Sequence, residues 1–476
     1  MAAARKAGKG TASEGTRDSK SAWLKYGAQE RKELGALSSR YEDFLSSCKT
    51  ERECVARAVE MARQAGYMDL REAIAKKRRL KCGDKAYLVN MDKSMVLFNL
   101  GSEPLEDGMA ILGAHIDCCR LDVKQNPLYE DGDLAFLDTH YYGGIKKYQW
   151  VTIPLALHGV AVREDGTKVV LNIGDDPSDP VFCVTDLLIH LAQEQMKKSG
   201  STVVEGENLD ILFGSEPLKG ADKDAVKEGV LKLISDKYGL GEGDFISAEI
   251  ALVPAGRARD LGIDRSMILS YGHDDRVCAY TSLEAMLAEG RVKRTTCCLL
   301  VDKEEIGSVG ATGMRSRFFE NALCELMALT GEGFSELALR RALENSRMLS
   351  SDVSSAYDPL YKSAFDPKNT AHLGYGMVFN KFTGARGKSG SNDANAEFVA
   401  KVRTIMDQSG VSFQFAELGK VDLGGGGTIA YIMSLYGMQV IDSGVAVLSM
   451  HAPWEAVSKA DVYETYKGYR AFLKLA

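Results

Sequence analysis

The chain has 476 residues, 45% of them hydrophobic, and a formal net charge of −7, which is enough sequence for two to three domains around a large buried core. Mild acidity argues against a general nucleic-acid or anionic-membrane surface and points to small molecules or peptides as partners. No apolar run approaches the roughly 18 residues that a membrane-crossing helix needs, and the ten cysteines include no C-x-x-C spacing, so a zinc ribbon or disulfide framework is disfavoured and a reducing, cytoplasmic compartment is expected.

Residues 1–20 are rich in Lys, Arg, Gly, Ser and Ala with no apolar segment behind them. They read as a flexible tail, open to ordering by a subunit contact, and not as a secretory signal. Residues 23–45 and 52–76 carry apolar side chains at helical spacing, with Thr50 and Glu53 placed as a capping box for the second segment. Two short strands are expected at 86–89 and 95–100, joined by a polar turn at Asp92 and Lys93.

The apolar run from residue 109 ends in His115, Ile116 and Asp117. On a continuing strand His115 and Asp117 project to the same side, so the carboxylate can hold the imidazole in one tautomer, as partners of metal-ligating histidines do. A strand-end histidine with ordinary hydrogen bonds has the same local pattern. Cys118 and Cys119, which follow directly, read as small buried residues.

From about residue 121 the texture becomes β-rich, with strands expected at 134–142, 149–162 and 169–173, a helical pattern at 186–197, a loop at 200–208 and a charged helix at 222–237. This section is read as a domain over 123–260 inserted into a catalytic domain made of 21–122 and 261–476. The tract from Tyr141 to Trp150 looks like a glycine turn between aromatic strands and suits a subunit interface if exposed. His158 lies in an apolar run and reads as a core histidine with satisfied hydrogen bonds, as do His140, His190 and His372.

After the insert, Gly272-His273-Asp274-Asp275-Arg276 precedes a helix at 277–288. Capping that helix needs one aspartate. Two, beside a histidine and an arginine, leave one free to bridge two metal ions. The apolar run at 297–301 then delivers Asp302-Lys303-Glu304-Glu305-Ile306-Gly307-Ser308. Adjacent glutamates at the mouth of a buried strand lose water and repel each other, so a compensating cation explains them better than solvent does. They point different ways on an extended backbone, which lets one bind metal while the other faces water.

Asp352 ends another short apolar stretch, and the apolar region 440–450 delivers His451 before a terminal helix at 458–473. Gly424 to Gly427 lack the lysine and spacing of a phosphate loop, so backbone approach to a substrate is the better use for them. The helical H-E-x-x-H zinc motif is absent. His115, Asp274, Glu304, Glu305, Asp352 and His451 nearly all fall at strand ends, where an open α/β sheet binds ligands. Two imidazoles with several carboxylates suit zinc, or cobalt or manganese, in a two-ion site with the ions about 3.5–4 Å apart and a bridging water between them.

Gly113-Ala114-His115-Ile116-Asp117, His273-Asp274-Asp275-Arg276, Asp302-Lys303-Glu304-Glu305-Ile306-Gly307-Ser308, Ser351-Asp352 and Ser449-Met450-His451 occur in the order seen in the aspartyl aminopeptidase and vacuolar aminopeptidase I family of dinuclear zinc exopeptidases, which the chain resembles from about residue 40 onward. The resemblance implies an α/β fold: a three-layer α/β/α catalytic domain with a mixed sheet, plus an inserted β-rich dimerisation domain. It implies that His115, Asp352 and the bridging Asp274 hold one Zn2+ and that Glu305, His451 and Asp274 hold the other. Asp117 would orient His115, and Glu304 would be the general base. His158 would reach into a neighbouring subunit's active site, in place of the core reading above. It further implies peptide substrates with a free N-terminus, a preference for acidic first residues, and a homo-oligomer, a dodecamer built from dimers.

This chain departs from the family pattern at Ser355, where relatives commonly carry a histidine, and at Cys118 and Cys119, where a small hydroxyl residue and proline are more usual. Lys381 and Arg386 are the candidate basic residues for an acidic side chain, with surface charge as their other reading. A dinuclear deacylase or carboxypeptidase using the same metal set, and a non-catalytic metal-binding scaffold, are the alternative functions.

Overall fold

The computed structural model describes residues 21–476 apart from residue 332, and the tail expected over 1–20 lies outside the described residues. At its centre is a nine-stranded mixed sheet in the order Met68–Asp69, Lys85–Asn90, Ser94–Asn99, Thr295–Val301, Met109–His115, Arg347–Ser351, Gln439–Gly444, Met377–Asn380, Phe413–Phe415. Four neighbours in the middle, Thr295–Val301, Met109–His115, Arg347–Ser351 and Gln439–Gly444, are mutually parallel. Thr295–Val301 and Met109–His115 are buried at every position, as continuous apolar strands covered on both faces must be.

The alternation of side chains divides the core in two. Ala110, Leu112 and Ala114 point into one apolar cluster with helices Ala28–Ser47, Glu51–Gln64, His273–Ala288, Ala396–Gln408 and Lys459–Leu475. Met109 and Ile111 point into the other, with helices Leu70–Ala75, Phe318–Leu329, Glu336–Glu344 and Ala430–Ser434. The result is the three-layer α/β/α arrangement. Helix Glu51–Gln64 starts at the capping box read from the sequence, Thr50 accepting from Glu53 N while the Glu53 carboxylate accepts from Thr50 N.

A second sheet of seven strands is drawn wholly from residues between Arg120 and Pro254, and it builds its own apolar cluster around Trp150, Leu121 and Leu252. A third sheet of five short strands carries Ala446–Leu448 and Glu455–Ser458. The apolar region 440–450 is therefore two strands, not one. Gly444 marks the break, where a Cβ would lie 2.0 Å from Asp352 O, so the chain can pass that close only as glycine.

The helix expected at 186–197 is also corrected: the segment forms turns and a single 3-10 turn, Gln195–Lys197. Leu187, Leu188, Ile189 and Leu191 are exposed, so the apolar face that would stabilise a helix has nothing to pack against within one chain. His140 and His190, expected in the core, are exposed.

Candidate metal centre

Parallel strands bring most of the site together. His115 pairs in register with Val301, so the imidazole and the glutamates that follow Val301 emerge side by side. Asp352 follows Ser351 on the next strand, its amide donating to Ser443 O at 2.9 Å. Asp274 comes from the mouth of helix His273–Ala288, where the backbone is not yet helical. His451 arrives from the five-stranded sheet with φ +64, a conformation that a non-glycine residue keeps only when its surroundings hold it.

Asp274 occupies the middle. Its Oδ1 lies 3.3 Å from His115 Nε2, and its Oδ2 lies 3.2 Å from His451 Nε2. Around the first imidazole stand Glu304 Oε2 at 3.8 Å and Asp352 Oδ1 at 3.9 Å from Nε2. Beside the second stands Glu305 Oε2, 3.7 Å from His451 Nε2. The two glutamates thus face different histidines, as alternation along the chain requires.

The outer nitrogens are held as well. His115 Nδ1 lies 3.0 Å from Asp117 O and 3.3 Å from Asp117 Oδ1, and His451 Nδ1 lies 3.0 Å from Gly144 O. With each Nδ1 held by an outward oxygen, each Nε2, turned toward Asp274, is the nitrogen left to take a metal in place of its proton. Asp117 does more than orient His115. Its two oxygens accept the backbone N–H groups of Glu304 and Glu305, each at 3.2 Å, and Tyr142 OH donates to Oδ2 at 2.7 Å. Arg120 stacks over the Tyr142 ring at 4.0 Å.

Two positioning groups escaped the sequence reading. Glu455 is buried and accepts from Asp274 N at 3.0 Å and from His451 N at 2.7 Å, so one carboxylate fixes the backbones of two site residues. Its one signal is a glutamate in an otherwise apolar strand. Tyr142 lies in the aromatic tract that suited an interface, but its side chain turns inward.

Burial raises the Glu304 carboxyl to about 7 and the Glu305 carboxyl to about 8, and Asp274 adds repulsion to both. Burial, then Asp275 and Glu304, push Asp352 up. Asp274 goes the other way: burial opposes its charge, but hydrogen bonds from His115 and His451 outweigh it. A cluster that resists ionisation yet offers nitrogen and oxygen donors at close range fits a divalent cation, which restores the charge balance. Donor atoms of His115, Glu304 and Asp352 lie within 4.8 Å of one another, as do those of His115, Asp274 and Glu305, and of Cys119, Glu305 and His451.

The centre forms the floor of a cavity of about 590 Å³ whose walls include Val353, Phe365, Leu418, Leu423 and Met450, with Ser355 and Gly424 to Gly427 at its rim. No lysine or arginine lines it among the described residues. Lys381 and Arg386 are exposed outside it, Lys381 facing Asp393 at 3.9 Å.

His158 is not brought to the centre. It is fully buried, with Nδ1 2.8 Å from Glu53 Oε1 and Nε2 3.0 Å from Asp175 Oδ2. Strand Leu155–Val162 lies between Lys168–Ile173 and Ala248–Pro254, so the imidazole points to the junction with helix Glu51–Gln64. Within the single chain it is the core histidine that its apolar surroundings suggest, held between two carboxylates and away from this chain's own centre.

Residues 44–473 match the aminopeptidase I zinc metalloprotease family (M18). A probable M18 family aminopeptidase 1 of Clostridium acetobutylicum is 58% identical over 455 residues, covering 95% of this chain and 98% of that protein. The crystal structure of the M18 aminopeptidase from Thermotoga maritima superposes with a TM-score of 0.92 at 44% identity, covering 97% of this chain and all of that one. The S. cerevisiae mApe1 dodecamer shares the fold at 18% identity, with a TM-score of 0.72 over 91% of this chain and 95% of that one. With a metal-capable centre at the carboxyl ends of its parallel strands, the chain belongs to the M18 family of zinc metallo-aminopeptidases.

Proposed function

We propose that this enzyme releases the first residue of peptides by a two-ion mechanism, His115, Asp274 and Asp352 holding one Zn2+, Glu305, His451 and Asp274 the other, and Glu304 acting as general base. The observation that carries this reading is the placement of Asp274, one oxygen toward each histidine. When bound, the ions supply Lewis-acid polarisation of the scissile carbonyl and make water acidic enough to attack at neutral pH. Glu304 takes the proton of the attacking water and returns it to the leaving amine. The acidic cavity floor favours a substrate's α-ammonium group, which restricts cleavage to the N-terminal residue.

The same floor disfavours acidic side chains, and the walls offer them no cation. On this reading the apolar walls favour neutral first residues over the acidic ones that the family resemblance implies. The test is amino-acid release from a panel of unblocked dipeptides after chelation and reloading with zinc, cobalt or manganese. Metal-dependent release, faster for leucine or methionine than for aspartate, is expected. No release with any metal would overturn the reading, and hydrolysis confined to N-acylated peptides would transfer it to a deacylase.

The unit over 123–260 is assigned to homo-oligomer assembly, in the manner of the yeast dodecamer and in the cytoplasm, where ten unpaired cysteines remain reduced. The exposed run Leu187, Leu188, Ile189, Leu191 and Met196 supports this, because apolar patches of that kind mark contacts. Leu188→Glu combined with Leu191→Glu is expected to lower the assembly mass in light scattering while leaving far-UV dichroism intact. An unchanged mass would remove this segment from the interface.

A further inference from the structure

Cys119 stands among the donors of the centre, and the ligand set above leaves it unused. Its Sγ lies 3.3 Å from Glu305 Oε2 and 3.6 Å from His451 Nδ1. The position is built. Tyr271 OH donates to Cys119 O at 3.0 Å. Gly143, at φ +80, closes over the sulfur so tightly that a Cβ there would lie 2.6 Å from Sγ. The Glu305 side chain, only 3% exposed, can reach few other partners.

Donor atoms of Cys119, Glu305 and His451 lie within 4.8 Å of one another, close enough for one ion to draw them together. Around one tetrahedral zinc ion, two light donors sit about 3.3 Å apart and a sulfur and an oxygen about 3.5 Å apart, from bond lengths of roughly 2.0–2.1 and 2.3 Å. Here Sγ to Glu305 Oε2 is 3.3 Å, Oε2 to His451 Nε2 is 3.7 Å, and Nε2 to Asp274 Oδ2 is 3.2 Å. Asp274, Glu305 and His451 give three protein donors, so a thiolate would be the fourth and the attacking water a fifth, a number that catalytic zinc also takes.

We propose that the Cys119 thiolate is a further ligand to the ion held by Asp274, Glu305 and His451, making that position a mixed sulfur, nitrogen and oxygen site that selects zinc over manganese. This rests on the two-ion reading above. As the sulfur–metal bond forms, the S–H bond breaks and its proton leaves to solvent, so loading releases one proton more than an all-nitrogen-and-oxygen set would. Soft thiolate favours zinc, whereas manganese prefers oxygen.

The test loads the full-length chelated protein with Co2+ and records its absorption spectrum. Wild type is expected to show an intense near-ultraviolet sulfur-to-cobalt band above the weaker visible ligand-field bands. Cys119→Ser and Cys119→Ala should keep the visible bands and lose the intense one, and Cys118→Ser, whose sulfur bonds Asp274 O at 2.8 Å, should retain both. Zinc affinity should fall at least about tenfold in the Cys119 variants, with manganese affinity little changed. Visible bands without the sulfur band in wild type would overturn the proposal and leave the two-ion reading standing. Failure of wild type to bind cobalt at all would defeat both. Because wild type alone decides the first question, a variant that failed to fold would not shield the idea.

Discussion

Glu304→Gln protein is expected to fold, to bind metal as wild type does, and to lose about 10²–10⁴-fold in kcat, the range that a positioned general base supplies. The neighbouring glutamates differ in what they face. Glu305 Oε2 lies near His451 and Glu304 Oε2 near His115, while their backbone amides share the two oxygens of Asp117. Lys303, at φ +69, turns the chain so that both carboxylates enter the cavity floor. Glutamine keeps the shape of Glu304 but cannot accept the proton of the attacking water. Glu305→Gln should instead lower metal content, because the proposed site uses Glu305 as a ligand. Metal analysis beside single-turnover kinetics separates the two outcomes. A Glu304→Gln enzyme within tenfold of wild-type kcat, or one that had lost its metal, would remove Glu304 from the role of base.

The parts of this arrangement that were legible in the sequence are those set by strand ends. His115, Glu304, Glu305 and Asp352 each close an apolar run, and parallel strands buried on both faces carry that pattern openly. Asp274 was legible because capping one helix does not need two aspartates. The break at Gly444 was not, since a buried strand that changes sheets keeps the same apolar composition on both sides. Glu455 and Tyr142 were hidden for a different reason. They act on backbones and on Asp117 across long sequence separations, and only the fold creates those contacts. The segment 186–197 misled because its spacing suits a helix, but spacing stabilises a helix only when its apolar face finds a partner.

Removal of His158 is the second large effect expected. The imidazole sits between Glu53 and Asp175, and Asp175 also pairs with the buried Lys49, whose Nζ donates to Pro254 O and Gly256 O. Glu53 is in turn the capping-box residue of helix Glu51–Gln64. This chain of charges ties that helix to the strand Leu155–Val162. His158→Ala leaves two largely buried carboxylates facing a vacancy, a loss of about 3–5 kcal/mol by the general cost of breaking a buried pair.

The dependence on pH follows from the shifts. Burial opposes the charged imidazole, but Asp175 and Glu53 outweigh it and raise His158. Its contribution is then full below the unfolded value of about 6.5 and is lost as pH rises through the raised folded value. Asp175 moves down to about 2, burial being overcome by His158 and Lys49. Its contribution is full above the unfolded value of about 3.9 and fades as pH falls through the folded one. The network is therefore strongest between about pH 4.5 and 6.5. Urea unfolding of wild type and His158→Ala should show a larger gap at pH 5.5 than at pH 9. Equal stability of the two proteins at both values, with activity lost in the variant and restored by mixing it with Glu304→Gln protein, would instead return His158 to a neighbouring subunit's active site.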